Sequence, residues 1–205
     1  MKSFFLHDSL VIRFISMLGL AGLILTVSWL LSYHLLPEGI LRGRTAAAVL
    51  AGDEAAASFS AEFARIFLLN LFMLTAIVLA SRLIEVGGFP LGYLPPLLLS
   101  GIYAIVLGTN SFSIPLPRPI APSLVIFSRS GIYEIAAYVL AAVSTPGIQT
   151  HRFKRLVPPD SEPILPRPSF LKNVSPPGML LAIVMLLLAN AYEASRIMLI
   201  SAGGS

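Results

Sequence analysis

The sequence has no cysteine and three histidines in 205 residues. Without cysteine there are no disulfides, thiolate metal sites or cysteine nucleophiles, and no residue that reports the redox compartment. His7, His34 and His151 are far apart in the chain, so they form neither a metal cluster nor a haem-ligand pair within an apolar run. Charge is also scarce: 12% of residues are Asp, Glu, Lys or Arg, about half the share of a soluble domain. The motifs GxxxxGK[ST], HExxH and GxSxG are absent, so nothing cradles a phosphate, pairs histidines on a zinc ion or presents a serine nucleophile. Gly87-Gly88 and Ser100-Gly101 read as turn and packing residues. The chain therefore reads as non-enzymatic, with no cofactor and no metal. The formal charge of +4 lies beside apolar segments, where basic residues set membrane orientation rather than contact nucleic acid.

What is present is apolar. Hydrophobic residues make up 56% of the chain and mean hydropathy is +0.85. Runs of roughly 18 or more apolar residues match the thickness of a bilayer. The expected fold is all-α: a polytopic transmembrane helical bundle of about five spans, forming one integral membrane domain over residues 1–205. The spans fall at about 10–36, 61–84, 90–108, 123–143 and 178–200. The first reads as an uncleaved anchor, since no small-residue cleavage site and soluble domain follow it. Trp29 and Tyr33 near its far end suit an interfacial belt. Pro37-Glu38-Gly39 terminates it. Residues 44–60 are Ala-rich and predict a short external helix, too polar at Asp53 and Glu54 to span. In the third span, Pro95-Pro96 predicts a regular helix from about Pro95, with residues 90–94 irregular. Pro115, Pro117, Pro119 and Pro122 predict an extended connector. Residues 146–177, basic and rich in proline, predict a stiff, extended, non-helical loop. A short tail, Ser201 to Ser205, follows the last span.

With the N-terminus in the cytoplasm, the inside segments hold Lys2, Arg13, Arg82, Arg152, Lys154, Arg155, Arg167 and Lys172. The outside segments hold Arg42, Arg44, Arg65, Arg118 and Arg129. The positive-inside rule thus favours a multi-pass cell-membrane protein with its N-terminus cytoplasmic and its C-terminus outside. The 146–177 loop is then cytoplasmic. No internal repeat is visible, which weakens a transporter built from inverted halves.

Polar residues within spans carry the remaining information, because charge in a bilayer is costly and usually paired. They are Asn70, Arg129, Glu134, Asn190, Glu193 and Arg196. Five residues separate Arg129 from Glu134, which suits neither helical neighbour spacing, so Glu134 should meet a partner from another helix. Gly131 and the alanines at 136, 137, 141 and 142 let helices approach closely. Glu193 and Arg196 are three apart and able to pair, and Asn190 extends that stripe. Arg196, near the outer end, also suits snorkelling to the interface. Asn70 suits an interhelical hydrogen bond. For Glu134 the two readings are an interhelical anchor and a proton, ion or ligand site.

Three segments carry a family resemblance. They are Phe63-Ala64-Arg65-Ile66-Phe67-Leu68-Leu69-Asn70-Leu71, Gly131-Ile132-Tyr133-Glu134-Ile135-Ala136-Ala137, and Leu187-Leu188-Ala189-Asn190-Ala191-Tyr192-Glu193-Ala194. In this order, after an N-terminal anchor, the chain resembles the stage II sporulation protein M family from about residue 10 to 200. Ser130, Ala136 and Leu69 stand where that family usually has His, Pro and Asn. The resemblance implies that Asn70, Gly131, Glu134 and Glu193 are the family-type polar positions. It also implies a non-enzymatic membrane subunit that organises other proteins. The expected partners are other membrane or envelope proteins and the lipid bilayer, with a homo-oligomer also allowed and no nucleic acid. Two alternatives stay open: a small transporter or permease component using intramembrane carboxylates, and an accessory subunit of an energy-transducing membrane complex.

Overall fold

A computed structural model of the chain describes residues 4–44, 56–113, 115–155 and 160–203. Helix α1 spans Leu10–Leu35, α2 Phe59–Leu83, α3 Leu94–Gly108, α4 Ser130–Val143, α5 Phe170–Asn173 and α6 Pro176–Gly203. Among the described residues, four helical stretches are long and apolar enough to cross a membrane: Leu10–Leu35, Phe59–Leu83, Leu91–Gly108 and Pro176–Ser201. Their outer surfaces are apolar. Leu23, Leu68, Phe72, Leu98 and Leu188 are all more than half exposed. Water would penalise such a surface and hydrocarbon would not.

The helix ends follow local chemistry. Ser58 caps α2 by accepting from the Ala61 amide, which satisfies one of the free N–H groups of the first turn. Helix α3 opens with Leu91–Tyr93 as a 3-10 turn and carries proline in its first α turn, where the missing N–H is harmless. The expected irregular entry is therefore one tight turn. Gly87 and Gly88 both adopt positive φ and close a two-residue hairpin between β1 (Ile84–Val86) and β2 (Phe89–Pro90), a turn that needs left-handed backbone.

Several expectations are corrected. The fold is mostly helical but not all-α, because β1 and β2 join β3 (His151–Arg155) and β4 (Asp160–Pro163) in a four-stranded sheet ordered β2-β1-β3-β4. The β1–β3 pair is parallel and the other two are antiparallel. The loop expected to be non-helical and extended over 146–177 thus contains two paired strands and the short helix α5. Proline does not prevent this, since Pro163 lies at the end of an edge strand. The span expected over 123–143 is broken. A 3-10 helix covers Leu124–Ser128, Arg129 is extended, and α4 has 14 residues, about 21 Å of helix against a hydrocarbon core of roughly 30 Å. The tail expected from Ser201 continues α6 to Gly203. Most of the expected Ala-rich helix, residues 45–55, lies outside the described residues.

The helices alternate in direction about one sheet-bearing end. Arg13 Nε at the start of α1 donates to the Val143 carbonyl at the end of α4, 3.1 Å away, a cation placed where a helix exposes its unpaired carbonyls. The Ser175 amide before α6 donates to the Ser144 carbonyl. Arg82 at the end of α2 donates to the carbonyls of Ile148 and Pro168. Arg13 is buried, so it acts as a structural cap. At the opposite end Trp29 is buried, and its Nε1 donates to Ile120 of the proline connector at 2.8 Å. Asn110, fully buried, fastens the same connector. It donates to Glu38 and to the Leu116 carbonyl and accepts from the Leu116 amide.

Candidate functional site

The polar residues of α2, α4 and α6 meet inside the bundle. Asn70 of α2 donates through Nδ2 to Asn190 Oδ1 of α6 at 2.8 Å. Its Oδ1 accepts from the Tyr138 hydroxyl of α4 at 2.6 Å. Tyr138 and Asn190 are buried, and one amide thus joins three helices. Glu134 lies one helical turn before Tyr138, on the same face of α4. Its carboxyl reaches both Glu193 of α6 and Asn70. The expectation that Glu134 meets partners from other helices agrees with this arrangement.

Tyr103 of α3 closes the cluster. Its phenol lies within electrostatic reach of Glu134, Glu193, Arg129 and Arg196. Gly131 is what admits it: a Cβ at position 131 would overlap the Tyr103 ring. The helix-approach role expected for Gly131 therefore has a specific neighbour. Two cluster atoms are buried without a protein partner among the described residues, Glu134 Oε1 and Asn190 Nδ2.

The stripe on α6 divides. Asn190 and Glu193 turn into the cluster, whereas Arg196, expected to pair with Glu193, donates to the Ser128 carbonyl at 2.9 Å and stacks over the Tyr192 ring. The break before α4 explains this, because it leaves Ser128 with a free carbonyl at the level of Arg196. The sequence reading missed Tyr103 and Tyr138. The i,i+4 spacing of Glu134 and Tyr138 was the available signal for the second. Nothing local marks Tyr103, which reaches the site only through packing of α3.

Carboxyl, amide and phenol groups without a metal ligand set can tie helices together or hold a proton. Among the described residues no three His, Asp or Glu side chains come together as a metal site. No family model, curated protein or solved structure matches this chain.

Proposed function

We propose that the chain is a non-enzymatic integral membrane scaffold or assembly subunit of a multi-protein membrane complex. The observation that carries this reading is the mutual bonding of Asn70, Asn190 and Tyr138 across three helices. Polar groups that satisfy one another inside a bundle fix helix positions, and a fixed helix arrangement presents a constant outer surface to partners. The resemblance to the stage II sporulation protein M family at Asn70, Gly131, Glu134 and Glu193 supports the same reading. The partners are other membrane or envelope proteins. The N-terminus and the four-stranded sheet face the cytoplasm and the C-terminus faces outside, as the distribution of basic residues favours.

The test is gentle extraction from native membranes with a C-terminal tag, followed by sizing and mass spectrometry. A stoichiometric set of other membrane or envelope proteins is expected. A clean homo-oligomer would sink the scaffold reading.

A second reading rests on a different observation, the meeting of Glu134 and Glu193 beside a short, broken span. Intramembrane carboxylates and interrupted helices occur together at transport sites. In that case reconstituted protein would carry a solute or proton flux that Glu134→Gln abolishes. Absence of flux across a broad panel would remove this reading.

A further inference from the structure

Beside the polar cluster, on the bundle's outer surface, an open groove of about 370 Å³ runs between the 3-10 helix Leu124–Ser128 with α4 on one side and α6 on the other. Phe127, Tyr133, Met185, Leu188, Ala189 and Tyr192 line it. The surface of this groove is almost wholly apolar, and Phe127 and Leu188 are more than half exposed.

The end of the groove farther from the sheet is different. Arg196 stands twenty residues after Pro176, about 30 Å along α6, which is one hydrocarbon thickness from the sheet-bearing end. It is held there by the Ser128 carbonyl, which also accepts from the Tyr192 hydroxyl at 3.0 Å. Arg129 lies close enough to repel Arg196, and its other electrostatic neighbours are the phenols Tyr103 and Tyr192. Arg129 Nε is buried without a partner among the described residues. The Glu134 and Glu193 carboxyls, also within electrostatic reach of Tyr103, interact with each other, and Glu134 with Asn70, whereas neither is among the charges that act on Arg129. Two guanidiniums thus lie within electrostatic reach of each other at the end of α6 away from the sheet, where Arg196 stacks on the groove-lining Tyr192.

We infer that this groove is a binding site for an anionic phospholipid, with the phosphate between Arg129 and Arg196 and an acyl chain along Tyr133, Leu188 and Tyr192. Charge complementarity selects the occupant. Two adjacent cations repel each other in a medium that screens poorly, and a phosphate between them replaces repulsion with charge-assisted hydrogen bonds. Basic residues at a membrane surface favour anionic over zwitterionic lipid, and an apolar channel beneath fits an acyl chain rather than a free anion. This inference needs the membrane reading but not the scaffold reading.

The test uses the full chain in detergent, exposed to phosphatidylglycerol or phosphatidylcholine with identical acyl chains and measured by native mass spectrometry. Preferential retention of phosphatidylglycerol is expected. Arg129→Gln with Arg196→Gln should weaken it by about thirtyfold, and phosphatidylcholine should change little. Leu188→Trp, at an exposed position that leaves the core intact, should fill the groove and weaken both lipids, and it serves if the double variant fails to fold. Equal retention of the two lipids, or no effect of either variant, would overturn the proposal. So would displacement of the lipid by inorganic phosphate alone, which would mark a free-anion site.

Discussion

Replacing Asn70 with leucine, close to it in size, tests whether the three-helix junction stabilises the bundle. The substitution removes the bond to Asn190 and the bond from Tyr138. Interhelical hydrogen bonds inside membranes contribute about 0.6 kcal/mol on average and about 1.7 at most. Two bonds therefore account for roughly 1.2 kcal/mol, with an upper bound near 3.4. Tyr138 and Asn190 are both nearly inaccessible, so each would be left with a polar group that neither water nor lipid satisfies. An unsatisfied buried group costs about 1–3 kcal/mol, so two give about 2 kcal/mol at least, and the upper bound on the two bonds holds the expected total to about 2–3 kcal/mol. The assay is reversible unfolding in mixed micelles with increasing denaturing detergent, run as a double-mutant cycle with Asn190→Leu. A coupling energy of about 1 kcal/mol is expected. Asn190→Leu alone should cost less than Asn70→Leu, because Asn190 makes one of the two bonds. A cost below about 0.5 kcal/mol for Asn70→Leu, within the range of an unremarkable surface change, together with zero coupling, would refute the argument.

Four further outcomes are expected. Gly131→Val should destabilise the bundle by about 1–3 kcal/mol through overpacking against Tyr103, and Tyr103→Leu in the same chain should recover most of the loss in a thermal melt; no recovery would mean that the clash lies elsewhere. Trp29→Phe should cost about 1 kcal/mol for the lost bond to Ile120. Because Trp29 is the single tryptophan, wild-type fluorescence should be blue-shifted when folded and move to the red on unfolding, and an exposed-type spectrum at the outset would contradict its burial. Glu134→Gln should leave helix content intact while reducing either partner recovery or flux, so unchanged behaviour in both assays would remove Glu134 from function. At the sheet, Lys154 lies 2.7 Å from Glu162, and the hydrogen bond and charge of that carboxylate raise its pKa above the usual lysine value. Its contribution to strand pairing is therefore complete below the ordinary lysine range and is lost as pH rises through the raised value. An NMR titration of Lys154 should show a higher midpoint than in Glu162→Gln, and equal midpoints would exclude the pairing.

Hydrophobic run length determined the membrane-length helices with little help from context. Leu10–Leu35 and Phe59–Leu83 lie within one or two residues of the expected spans, because a bilayer-length run has few other stable conformations. Pro95-Pro96 marked the entry of α3 through the missing N–H of proline. The costliness of buried polar groups identified Asn70, Glu134, Asn190 and Glu193 before their partners were visible. Tertiary structure decided the partners. Asn190 sits 120 residues from Asn70, and no local spacing encodes that meeting. Glu193 and Arg196 had the right spacing to pair, yet Arg196 donates to the Ser128 carbonyl that the break at Arg129 leaves at its level, while Glu193 meets Glu134. The four-stranded sheet was equally hidden. The proline-rich composition of residues 146–177 gives weak strand propensity, and β3 forms because β1, at the end of α2, presents an unpaired edge beside it. Sequence alone thus determined four of the segments apolar and long enough to leave water, and which of their polar groups require partners. The three-dimensional packing decided which groups meet, because pairing depends on distances between helices that are remote along the chain.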